Sequence, residues 1–168
     1  RIAPRLPERL PVFRTENRYV TLAPTRGIAF NGTCRIHASG SLPAQLMIPG
    51  DITGSATLRM TDMGWVTFAG TNNTYQGRVQ LEGSWGAMMI GDGTNFSWAS
   101  TGGIVGTGTR GWLYLNNGAE DTFEDTFSGK GILTKKGLGT ITLATANTHA
   151  NLPTNTVVEA GTLRYGVA

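Results

Sequence analysis

The chain has 168 residues, 39% hydrophobic and 15% charged, which is enough apolar material for a core and excludes wholesale disorder. Its 24 glycines follow no Gly-X-Y period, which excludes collagen, and its single cysteine excludes an internal disulfide framework. The net charge of +3 belongs to residues 1–18, with five Arg against two Glu, while nine basic and nine acidic residues cancel over the rest.

The leading segment carries Arg1, Arg5, Arg9, Arg14 and Arg18 together with Pro4, Pro7 and Pro11. Proline fixes φ and disfavours helix at the residue before it. Residues 1–20 are therefore expected as an extended basic arm, either a linker or a strap that docks on another subunit. The body it precedes, 21–168, has balanced charge and carries no basic, aromatic-bearing face, so nucleic acid is not the expected partner. No apolar run approaches bilayer-spanning length. The chain begins at Arg and reads as a mature or excised segment, so the lack of an export signal carries no weight.

Next come Cys34 and His37, in CRIH. Two ligands do not make a zinc site, and both residues read as structural. Further along, Ile52–Gly77 can be laid over the run from Phe127 at a constant shift. Gly54 then meets Gly129, Leu58 meets Leu133, Gly64 meets Gly139, Thr67 meets Thr142 and Asn72 meets Asn147. After a three-residue slip, Val79 falls over Val157 and Gly83 over Gly161. Two copies of one unit, about 49–91 and 112–166, are thereby defined, with the insertion in a Gly/Asn/Pro-rich loop where repeat architectures accept it.

Between the copies lies GDGTNFSWAS, which places Trp98 in a glycine-rich loop as the best exposed aromatic; Tyr75 is a second candidate for stacking on sugar rings. Trp65 and Trp85 read as core or corner fillers. GTGTRG lacks the lysine of a phosphate-binding loop. AEDTFEDTF gathers Glu120, Asp121, Glu124 and Asp125. Paired carboxylates serve glycosidases and Ca²⁺-dependent chemistry, but the simpler reading is a solvated turn, with Ca²⁺ as a weak ligand candidate.

The second copy predicts strands near Gly131–Lys135, Thr140–Ala144 and Thr156–Glu159, with Thr162–Tyr165 opening the next rung. Alternation is clear in Thr140-Ile141-Thr142-Leu143. Strands this short gain stability only by stacking, each rung hydrogen-bonded to its neighbours around a buried ladder of Ile, Leu, Val and Phe. The expected fold is all-β, a solenoid built from two copies of a three-strand repeat after an extended arm. A β-sandwich or jelly roll is the alternative, with longer strands at wider spacing.

The run SGKGILTKKGLGTITLATANT…TVVEAGTLRYG resembles the autotransporter-associated β-strand repeat of bacterial passenger domains. The matching positions include Gly129, Gly131, Leu133, Thr134, Lys135, Gly137, Gly139, Ile141, Leu143, Asn147, Val157, Gly161 and Leu163. The first copy matches less closely, with Arg59-Met60-Thr61 where the lysine is expected. The resemblance implies a right-handed parallel β-helix and an extracellular or cell-surface location, and it implies no catalytic activity.

No catalytic constellation stands out: there are two histidines and no Gly-x-Ser-x-Gly elbow. The function expected is structural: a solenoid subunit of an extracellular filament, sheath or adhesin that associates with copies of itself through open ends and the arm. A carbohydrate-binding or polysaccharide-cleaving β-helix, with surface glycans as partners, is the alternative, and a virion decoration protein a third. No cofactor is expected.

Overall fold

The computed structural model describes residues 12–16, 19–23, 25–39, 45–61, 64–82, 86–98, 102–108, 111–145 and 156–166. Every strand pairing among them is parallel, and adjacent strands are 20 to 26 residues apart in sequence. The fold is a β-solenoid of stacked coils. Each coil runs across three faces.

The first face stacks β1 (Val12–Glu16), β4 (Cys34–Ser39), β7 (Leu58–Thr61), β9 (Val79–Leu81), β11 (Ile104–Gly106) and β14 (Phe127–Gly129). The second stacks β2 (Tyr19–Thr21), β5 (Gln45–Ile48), β8 (Trp65–Phe68), β10 (Gly86–Ile90), β12 (Gly111–Asn116), β15 (Ile132–Lys136) and β17 (Thr156–Val158). The third side of the coil carries two separate sheets, β3 (Ile28–Phe30) with β6 (Ile52–Gly54), and β13 (Glu120–Phe123) with β16 (Thr140–Leu143) and β18 (Thr162–Tyr165).

The interior consists of columns, because alternate residues of a strand face inward and parallel register sets equals over equals. One column of the second face runs Leu46, Val66, Met88, Leu113, Leu133; on the first face Leu58, Val79, Ile104 and Phe127 do the same. All of these are buried. Burying each such side chain contributes roughly 1.5–3 kcal/mol relative to exposure, so the columns dominate the favourable side of folding.

The repeat seen in the sequence is not the structural repeat. The shift between copies corresponds to more than three coils, and it moves each strand to a different face. Leu58 is on the first face and Leu133 on the second; Val66 is on the second and Ile141 on the third. The corners are equivalent all the same. Gly54 and Gly129 each end a strand at positive φ, +99° and +76°, and a Cβ on either would lie 2.3 Å from the carbonyl oxygen of the coil beneath, that of Phe30 or Gly106. Only glycine adopts such a conformation under such a close approach. The local unit therefore repeats, turned by one face.

Within the segment expected as an extended arm, Val12–Glu16 and Tyr19–Thr21 are strands that pair with β4 and β5. Arg14 lies in β1, whereas Arg1, Arg5, Arg9 and Arg18 lie outside the described residues. At the other end, Thr156–Val158 pairs with β15 on the second face, so the new coil is already under way before Thr162.

Candidate functional site

The last coil is where the solenoid's interior meets its surface. β17 is the edge of the second face and β18 the edge of the third. Val158 stands in register with Lys135, Leu163 with Ile141, and Tyr165 with Leu143, so all three occupy inward-facing columns. Val158 is nevertheless 50% exposed and Tyr165 61%, while Leu163 is half-buried. Val157 is exposed too, and Leu138 at the preceding corner is 88% exposed. Among the described residues, the exposed large hydrophobics are confined to the last two coils.

The corner joining β17 to β18 is anchored from within. Lys135 is completely buried, and its Nζ donates to the carbonyl oxygens of Lys136, Gly137 (2.9 Å) and Ala160 (3.5 Å). Burial pushes its pKa below the ordinary lysine value, against an opposing pull from Asp121. Outside, Lys136 pairs with Glu159 at 2.9 Å, and Glu120 meets Arg164 at 3.4 Å. The first pair is partly exposed and the second fully so, and such pairs contribute little to stability.

The four acids of AEDTFEDTF do not converge. Glu120 and Glu124 are exposed, Asp121 is half-buried, and Asp125 is buried. Asp121 Oδ2 accepts from Asn117 Nδ2 (2.9 Å). Asp125 Oδ1 accepts from the amides of Gly103 (3.0 Å) and Thr126 (2.8 Å), and its Oδ2 accepts from Trp98 Nε1 (3.1 Å). Among the described residues, no group of three or more His, Cys, Asp or Glu side chains is placed to hold a metal ion.

Trp98, expected in an exposed loop, is only 5% exposed, and Tyr75 is 1% exposed. The cause is the third face, which forms no strand over 70–77 and 92–98. Aromatic rings fill the interior there instead. Tyr75 contacts Phe30 and Trp98, and Trp98 contacts Phe68, with ring centroids 5.8 to 6.0 Å apart. The Tyr75 hydroxyl donates to the carbonyl of Ala56 (2.5 Å), with that of Arg78 at 3.0 Å, and burial raises its pKa. Neither ring face is open to a sugar. Asn73 ties the loops together: its Oδ1 accepts from the Ile52 amide (2.8 Å) and its Nδ2 donates to Ser97 O (2.8 Å).

Trp65, expected as a filler, points outward from the second face. It stacks on Tyr114 with centroids 4.6 Å apart, and the Lys136 ammonium lies 5.1 Å from the Tyr114 ring and 5.7 Å from that of Trp65. Trp85 lies outside the described residues. Cys34 and His37 share β4 but do not act together: His37 Nδ1 lies 3.1 Å from Thr61 Oγ1, and burial pushes the Cys34 thiol up to about 11. A groove of about 440 Å³ beside β3 and β6 is lined by Thr25, Gly27, Ile28, Ala29, Gly50, Asp51 and Thr53. Asp51 Oδ1 already accepts from the Asn72 amide there (2.8 Å).

Sequence reasoning did not single out the side chains of this coil. Lys135 could have been found from the spacing of ILTKK, where Leu133 and Lys135 fall in one inward phase. No family model, curated protein or solved structure matches the chain.

Proposed function

We propose that this chain is a structural module: a β-solenoid subunit of an extracellular bacterial surface assembly, such as a filament, sheath or adhesin, that associates with copies of itself through its open coil ends. The observation carrying this reading is the exposure of Val158 and Tyr165 in columns that are otherwise buried. A strand edge with apolar side chains beside it is a template for another strand, and stacking would remove that apolar surface from water at about 25 cal/mol per Å². The surface location rests on the resemblance of SGKGILTKKGLGTITL to passenger-domain repeats. The arm residues Arg1, Arg5 and Arg9 add a second contact with a neighbouring subunit.

The test is the native mass of the purified protein as a function of concentration, with electron microscopy of the same samples. Multimers are expected, and Tyr165→Lys together with Val158→Lys should return them to monomers with an unchanged β-sheet circular dichroism spectrum. A native chain that stays monomeric at tens of micromolar overturns the reading.

A second reading, glycan binding, is favoured by the outward cluster of Trp65, Tyr114 and Lys136 on the second face. A glycan array with the native chain and Trp65→Ala decides it. A bound glycan lost in the variant supports it, and an empty array removes it.

A further inference from the structure

We infer that the partner of the last coil is the first coil of a second copy, so that the contact runs head to tail. This rests on the self-association reading and specifies its geometry.

The argument begins with the ladders. Every described pairing in the molecule is parallel, and the second face has β17 at one edge and β2 at the other. A copy displaced along the solenoid axis sets its β2 on β17 with strand direction unchanged. The same displacement sets β3 on β18, since each follows the second-face strand of its own coil, β3 in the two-stranded sheet and β18 in the three-stranded one. Each ladder then continues as it does inside one molecule, where short parallel strands are stable only as members of a stack. Joining two last coils through a two-fold axis cannot do this. If the second faces met edge to edge with their interiors on one side, β17 would lie antiparallel to its twin, and β18 would face the wrong side of the neighbour.

The side chains agree. The last coil offers Val158, Leu163 and Tyr165 from its inward columns. The first coil offers Val20, Leu22 and Ile28, each partly buried and packed against the core. Apolar ends of one phase therefore meet apolar ends of the same phase.

Charge agrees as well. Between β2 and β3 the exposed corner carries Arg26, and between β17 and β18 the exposed corner carries Glu159, which a second copy's Arg26 would share with Lys136, 2.9 Å away in its own chain. These are the same corner of the solenoid at its two ends. Displacement along the axis brings the guanidinium towards the carboxylate, whereas joining two last coils brings Glu159 towards its twin. Opposite charges facing across an interface set its polarity, and a contact between two different patches is heterologous and open-ended.

The experiment is disulfide trapping in a Cys34→Ser background. The chain carrying both Arg26→Cys and Glu159→Cys should oxidise to a ladder extending past the dimer, and an equimolar mixture of the two single variants should stop at the dimer. Each single variant alone should remain a monomer on a non-reducing gel. A dimer formed by Glu159→Cys alone overturns the head-to-tail geometry, as does a multimeric protein that traps no ladder. Both results leave self-association standing, which only a monomeric native mass removes. Because a cysteine at either corner removes a charge, a second measurement uses Arg26→Glu and Glu159→Arg. Each should raise the concentration for half-association at least tenfold, and an equimolar mixture of the two should recover the native value. A mixture that stays as weak as its components also overturns the proposal.

Discussion

Lys135 stands in register with Leu115 of the coil before it, yet it carries an ammonium where Leu115 carries an isobutyl group, and both are completely buried. The column can carry an ammonium at this level because the strand stops one residue later. Beyond Lys136 the backbone turns, and its carbonyls converge on Nζ. A cation inside a solenoid is therefore a corner anchor, and it holds the last coil from beneath.

Replacing Lys135 tests that anchoring. Lys135→Ala leaves a void and several carbonyls without their donor, and should cost about 2–4 kcal/mol in urea unfolding. Lys135→Met retains most of the volume and should cost about 1–2 kcal/mol. Hydrogen exchange at Glu159, whose amide bonds to Lys135 O, and at Thr162, bonded to Gly139 O, should quicken in both variants before the earlier coils respond. Equal protection throughout would refute a local anchor.

The same residue gives a pH signature. Burial lowers the Lys135 pKa, so the folded chain releases this proton at a lower pH than the unfolded chain does. The unfolded state then binds more protons, and stability from this group rises with pH between the folded value and the ordinary value of about 10.4. Urea unfolding of the native chain and Lys135→Met, compared from about pH 8 to about pH 10, should show the native chain gaining on the variant. Taking the difference cancels Cys34, whose raised pKa acts in the opposite direction over the same range.

Cys34 makes its own prediction. Its thiol is pushed up to about 11 by burial, and only the thiolate reacts. Alkylation at about pH 8 should run on the order of a hundredfold slower than for a free cysteine, and denaturant should abolish the difference. Rapid labelling of the folded chain would show that β4 is open on that side.

The two corner glycines should behave alike despite sitting on different faces. Gly54→Ala and Gly129→Ala each force a Cβ against a backbone carbonyl at positive φ, at a cost of about 2 kcal/mol or more apiece. Gly32→Ala, with nothing within 4 Å of its Cβ, is the control and should shift stability by less than about 0.5 kcal/mol. A large difference between Gly54 and Gly129 would break the equivalence of the corners.

That equivalence is also what the sequence made legible. Glycine spacing, the period-two alternation of Thr140–Leu143 and the match of Leu58 with Leu133 reported stacked coils because corners and inward positions are dictated by local geometry. The coil length stayed hidden because corresponding residues of the two copies fall on different faces, and a linear comparison carries no face label. Trp98 and Tyr75 were misplaced for a related reason. A glycine-rich segment reads as exposed loop, and only the missing strands on the third face reveal an interior that needs large rings to fill it. The outward position of Trp65 followed from strand phase but was masked by its size, which suggests core. The acids divide because sequence proximity says nothing of direction: Glu124 and Asp125 are neighbours, one exposed and the other buried.

Asp125 yields the last prediction. Its carboxylate receives three N–H donors, two from backbone and one from Trp98, and the ion pairs among the described residues lie elsewhere. Asp125→Ala orphans all three donors in a buried site and should cost about 3–5 kcal/mol, whereas Asp125→Asn retains an acceptor and should cost roughly half as much. Trp98→Phe keeps the ring contacts with Phe68 and Tyr75 but removes one donor, for about 1–2 kcal/mol. Because Trp98 and Asp125 share one hydrogen bond, the double variant Trp98→Phe with Asp125→Ala should cost less than the sum of the two. A Ca²⁺ ion drawn to this cluster would have to displace those donors, so added Ca²⁺ should leave the melting temperature of the native chain unchanged. A rise of several degrees that depends on Asp125 would show instead that the carboxylate exchanges its amide partners for the ion.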